Sequence, residues 1–181
     1  MKLTSAEKLT LVMLSEVYEK LGINGEVDPD FVKSAIFSEN TWALTMGMPG
    51  IVGDERDETP PNVRFVMEVM DMWESVELSI RNLDDKQRED LDRRAAPYGS
   101  SSKFEGFDGN NEGELGSIAR FLVEKMNRFA DFAGRSFNSH VPSVEGYKRM
   151  MEVHRPLEGS WGHLSVDELV NVLMAKRHPG N

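Results

Sequence analysis

The segment Asp108-Gly-Asn110-Asn-Glu112-Gly113-Glu-Leu115 places oxygen-bearing side chains at positions 1, 3 and 5, glycine at 6 and an aliphatic residue at 8. That is the order in which a calcium loop presents its ligands. Position 12, which should supply a bidentate glutamate, is Ala119, and no helix is expected just before the loop. The residues therefore point away from a metal, and the expectation is that Asp108 or Asn111 caps a following helix, with Glu114 three residues beyond Asn111. Phe104 and Phe107 bracket the same stretch. Two aromatics beside glycines can present a binding surface or pin a long loop onto a core; pinning is preferred, with Asp108 orienting the turn.

Glu68, Asp71, Glu74 and Glu77 recur every three residues. A di-metal site would need a histidine three after such a carboxylate, and none is there. A step of three also rotates each carboxylate by about 60° on a helix, so the series spirals. The expectation is a solvated or salt-bridged face, with Glu77 and Arg81 as an i, i+4 pair. The histidines, His140, His154, His163 and His178, show no metal-ligand spacing. His154, close in sequence to Arg149 and Glu152, has the makings of a general base, although a surface histidine at a helix end is the commoner reading. The chain has no cysteine, which removes thiolate metal sites, disulfides and thiol nucleophiles together. It also has no G-x-S-x-G elbow, and its glycine-rich loop lacks the Lys-Ser/Thr of a phosphate-binding loop. No catalytic constellation emerges, and no cofactor is called for. Asp108, Asn138, Tyr147 and His154 are the polar groups most able to converge; with Phe104 and Phe107 they form the candidate binding set.

Those residues must be held by a chain of 181 residues and net charge −10, enough for one domain spanning 1–181. The charge is uneven. Residues 1–114 carry 12 basic and 24 acidic side chains, whereas residues 115–181 carry 9 and 7. An acidic chain grips phosphate backbones poorly. Residues 29–48 could pass for part of a helix-turn-helix, and Lys148, Arg149, Arg155, Lys176 and Arg177 gather near the C-terminus. The would-be recognition stretch, however, holds Asp30 and Glu39 against Lys33 alone. Nucleic acid is disfavoured. Mean hydropathy is −0.45, and neither a signal-peptide stretch nor a membrane-spanning run stands out, so the expected location is cytoplasmic.

Thr4-Ser-Ala-Glu7 is a capping box, followed by helically spaced Leu9, Leu11, Val12, Leu14, Val17, Tyr18 and Leu21 up to Gly22. Asp28-Pro29 opens a short helix over about 29–40, and 42–48 makes another short turn. Thr59-Pro60 should cap a long helix over about 60–82. Its Phe65, Val66, Val69, Met72, Trp73, Val76 and Ile80 share an arc of about 120°, opposite Glu68, Asp71, Ser75 and Ser79. A polar helix follows Asp84-Asp85, and residues 97–114 form a long loop. A second long helix is expected over about 112–134, another from Pro142 to about Val153, and a last one after the capping box Ser165-Val-Asp-Glu168. With no alternating strand pattern, about seven helices predict an all-α, single compact multi-helix domain with two long central helices.

The order of motifs then becomes informative. Leu3-Thr-Ser-Ala-Glu-Lys-Leu9, Val69-Met-Asp-Met-Trp73 with Asn82-Leu83, Phe104-Glu-Gly-Phe-Asp108, Arg120-Phe-Leu-Val123 and Phe137-Asn138 occur in sequence, followed by Pro142, Tyr147, Arg149-Met-Met151 and Leu164-Ser165 with Glu168. On these residues the chain resembles the YfbU family of bacterial and archaeal proteins along nearly its whole length. It departs from that pattern by a longer serine-rich loop before Phe104 and a glycine-rich turn at Gly159–Gly162. The resemblance implies a helical fold and self-association; it supplies no catalytic residues. The preferred expectation is a self-associating binding or interaction protein, a homo-oligomer whose acidic and slightly basic parts attract across a subunit interface. Its alternatives are an enzyme of unrecognised type built on the candidate polar set, and a nucleic-acid-associated regulator.

Overall fold

In the computed structural model, residues 3–52 and 58–177 are described. The most acidic part of the 50–58 loop and His178 lie outside them. Eight α-helices form among the described residues, and no strand does. Helix α1 (Ser5–Lys20) starts where the capping box requires. Glu7 N–H donates to Thr4 Oγ1 at 3.2 Å, and Thr4 N–H donates back to Glu7 Oε2 at 2.7 Å. It ends at Gly22, whose φ of +63° closes the turn at little conformational cost. Helix α2 (Pro29–Phe37) is capped by Asp28, and α3 (Trp42–Gly47) is a short connector.

Helix α4 (Pro61–Asn82) runs through the middle, against α6 (Gly113–Glu124), α7 (Val144–His154) and α8 (Val166–Ala175). The polar α5 (Asp85–Arg94) packs on α8 and carries its own capping box, Asp84 with Gln87. Val66, Val69, Met72, Trp73, Val76 and Ile80 are all buried, as the helical arc predicts. Thr59 makes no cap hydrogen bond to α4, which starts at the Pro60-Pro61 pair.

Two expectations about this helix need correction. Ser75 and Ser79 are buried instead of facing water. Their hydroxyl oxygens accept the backbone N–H groups of Gly162 and Leu164 at 3.2 and 3.0 Å, so the chain leading into α8 is laced onto α4. Glu77 does not pair with Arg81 either. Its buried carboxylate accepts both terminal nitrogens of Arg135 at 2.8 Å and the Phe104 N–H at 2.8 Å, while Arg81 pairs with Asp131. The second long helix also stops early, at Glu124 instead of about 134. Asn127 and Phe129 take left-handed φ values of +52°, and only a short 3-10 turn, Ala130–Phe132, follows. Left-handed residues end a right-handed helix.

Candidate functional site

Five of the six candidate residues meet in one place. Phe107 N–H donates to Phe137 O and Ser139 N–H to Phe107 O, both at 3.1 Å, forming a single parallel bridge between Phe107 and Asn138. Phe104 and Phe107 lie edge to face, with ring centroids 5.8 Å apart, and both contact the ring of Tyr147. All three rings are fully buried. The Tyr147 hydroxyl donates to Gly106 O at 2.9 Å, and burial pushes this phenol above its ordinary range. A Cβ at Gly106 would sit 2.1 Å from the Phe137 backbone, which explains the glycine between the two aromatics.

The polar members are engaged in the same way. Asp108 accepts from Asn111 Nδ2 and from the Asn110 N–H, contacts that hold its carboxyl below the usual range. Asn138 Oδ1 accepts from the Gly109 and His140 N–H groups, both at 3.0 Å. Asp108 therefore closes its own turn and does not cap α6. Asn111 does not cap it either, because its side chain donates to Asp108, and Glu112, at the cap position, makes no side-chain cap hydrogen bond to α6. Glu112 accepts from the Ser143 and Val144 N–H groups at 2.9 and 3.0 Å, from Ser143 Oγ at 2.7 Å and from Asp108 N–H at 2.9 Å. An oxygen that a calcium loop would use is thus given to the N-terminus of α7. Among the described residues no group of three His, Asp or Glu side chains is placed to hold a metal ion. Phe104, Phe107, Asp108, Asn138 and Tyr147 act here as the pins of a loop.

His154 lies elsewhere, at the C-terminal end of α7. Arg149 is not part of its environment, because it turns away to donate to Ala175 O and Lys176 O. His154 lines a pocket of about 410 Å³ between α4, the end of α7 and a 3-10 turn, Arg155–Ser160. Met72 and Met151 supply apolar wall, Glu68, Asp71 and Glu158 supply carboxylates, and Arg155 and Trp161 complete the lining. None of the other five candidates lines it. The residue is 6% exposed, and its Nε2 has no hydrogen-bond partner. Burial holds the imidazole below its ordinary value, favouring the neutral ring, with Glu158 opposing.

Asp71 titrates in the opposite sense. Partial burial raises its carboxyl above the ordinary value, Arg128 opposes this, and Glu68 and Glu158 add to it. A carboxyl raised in the folded state stabilises the fold where it is protonated, and that contribution is lost as pH rises through the folded value. Asp71→Asn should therefore raise the melting temperature at pH 7 by roughly 1–3 °C, a small gain because the group also meets solvent. The gain should shrink towards pH 4. Thermal melts over that range check it.

A third feature was not expected. Leu9, Met13, Leu14, Val17 and Leu21 are 52–69% exposed. At 100° per residue they fill an arc of about 140° on α1. The opposite side, with Ser15 buried and Leu11 and Val12 half-buried, packs on α2 and the core. Helical spacing had placed Leu9, Leu14, Val17 and Leu21 in one series with Leu11 and Val12; the structure divides them between the solvent and the packed side. Beside this stripe runs an apolar groove of about 550 Å³, lined by Ala6, Thr10, Leu11, Leu44, Met48 and Ile51 among others.

Some of the opposite charge of the two parts of the chain is paired internally. Lys125 pairs with Asp30 at 3.0 Å, Lys176 with Glu105 at 2.7 Å and Arg135 with Glu77 at 2.8 Å, each joining a base of the C-terminal part to an acid of the N-terminal part. Lys33, the one basic residue of the would-be recognition stretch, pairs with Glu19, and Lys148 of the C-terminal basic group pairs with Glu145. No helix among the described residues is long and apolar enough to cross a membrane.

A family model described as the YfbU domain matches residues 1–175. The chain is also 29% identical over 131 residues to a UPF0304 protein of Methanocaldococcus jannaschii, covering 69% of this chain and 74% of that relative.

Proposed function

The chain belongs to the YfbU family, whose name carries no activity, and from that premise we propose that it is a self-associating interaction protein that pairs through α1. The outer face of α1 supports the reading. Five large apolar side chains, each more than half exposed, present on the order of 500 Å² of contiguous apolar surface, a scale that marks interaction sites on soluble proteins. With the groove alongside, the area approaches the roughly 800 Å² per partner of a standard interface. The occupant is a second copy of the same chain. An apolar stripe is complementary to itself in a two-fold pair. Glu7 and Glu16 flank it and Lys20 lies within its arc, a mixture unlike the Lys/Arg-rich borders of helices that lie on membranes.

This reading changes the driving force expected from composition. Acid-base attraction between copies would weaken in salt, whereas burial of Leu9, Met13, Val17 and Leu21 would not. Light scattering on the eluting protein should give about twice the 20.4 kDa chain mass at both ~0.05 and ~1 M salt. A monomer under both conditions contradicts the proposal, and a dimer that dissociates only in high salt contradicts the apolar interface.

A further inference from the structure

The pocket at the end of α7 lies away from the α1 stripe and asks for a ligand of its own. Its lining holds three carboxylates, Glu68, Asp71 and Glu158, against one guanidinium, Arg155. The C-terminal end of α7 adds the partial negative charge of a helix terminus. An anion is therefore disfavoured. A bare metal ion is disfavoured as well, because no three ligating side chains converge there among the described residues. The volume of about 410 Å³ falls within the range of small-molecule sites. The Trp161 indole, 46% exposed, lies in the lining where a cation can meet a ring face. Independently of the acids, the buried Nε2 of His154 has no partner within the chain. A buried polar atom left unpaired is costly, and a ligand donor would satisfy it.

We propose that this pocket binds a small organic cation, a primary ammonium compound with a short apolar body. One ammonium N–H donates to Nε2 of His154 in its Nδ1–H tautomer. Asp71, Glu68 and Glu158 supply the counter-charge, Trp161 covers the cation, and the two methionines contact the apolar body.

The probe is 1,4-diaminobutane, with 1,4-butanediol as its neutral counterpart, titrated calorimetrically into the full chain. The diamine should bind in the micromolar to millimolar range, and the diol should not bind. Asp71→Asn should weaken the diamine at least 10-fold and Trp161→Leu several-fold. Asp85→Asn, which removes an exposed carboxylate on α5, should leave it unchanged. No heat of binding with the diamine at ~10 mM overturns the proposal. Equal weakening by Asp71→Asn and Asp85→Asn also overturns it, because that is general attraction of a cation to a chain of net charge −10. None of these positions lies on α1, so the oligomeric state and the pocket are tested separately.

Discussion

Glu77→Ala should destabilise the fold by about 3 kcal/mol, lowering the melting temperature by roughly 6–12 °C for a chain of this size. The carboxylate is the meeting point of three segments that are distant in sequence. It sits on α4, accepts the backbone N–H at the start of the Phe104–Asp108 stretch and holds the guanidinium of Arg135 with both oxygens. Arg135 in turn lies over the ring of Phe132, 4.9 Å from its centroid. Removing the carboxylate leaves the Phe104 N–H buried without an acceptor and a half-buried cation without its partner, and both costs add. Glu77→Gln keeps an oxygen for Phe104 and should cost about half as much. Arg81→Ala, which removes only an exposed pair with Asp131, should cost less than about 1 kcal/mol. Urea melts of the three variants separate these cases, and comparable losses from Arg81→Ala and Glu77→Ala would restore the i, i+4 pairing that spacing suggested.

That contrast shows where the sequence was legible. The capping boxes, closed within three residues by paired side chains, could be read directly, because the physics lies in the spacing. Thr4 with Glu7 and Ser165 with Glu168 form the capping boxes their types dictate, and Gly22 ends α1. The buried arc of α4 was equally readable, six of its seven apolar positions being buried and Phe65 partly so. Periodicity says that a helix has an apolar face but not what covers it. On α1 the apolar residues run around more than one side, and only tertiary packing decides that Leu11 is covered while Leu9 and Leu14 are not. Ser75 and Ser79 looked outward-facing because they are polar, yet small hydroxyls can be buried wherever a backbone N–H arrives, and Gly162 and Leu164 arrive from more than 80 residues away.

The candidate sites divide along the same line. The five residues around Phe104 and Asp108 meet through local turns, one bridge and ring contacts that cross the fold, whereas His154, collected in the same candidate set, lies elsewhere. Their engagement with one another was hidden, because Tyr147, Asn138 and Glu112 reach their partners across the fold. His154 was singled out, but beside the wrong neighbours. Its pocket joins α4 to the end of α7, and no local signal in the chain announces that Asp71 and His154 share a wall.

The second large effect concerns α1. Met13→Glu combined with Val17→Glu places four carboxylates in a two-fold interface, two from each copy, and should weaken association at least 100-fold, about 2.8 kcal/mol. In the isolated chain both positions face solvent, so the helical content of the variant should match that of the parent. A matched change on α5, Lys86→Glu, alters net charge without touching the stripe and should leave association as it was.

Sedimentation equilibrium of the parent chain beside Met13→Glu/Val17→Glu, at matched concentration, measures this most directly. The parent should sediment as a dimer and the variant as a monomer with its helices intact. A monomeric parent, or a variant that dimerises as tightly as the parent, would contradict pairing through α1.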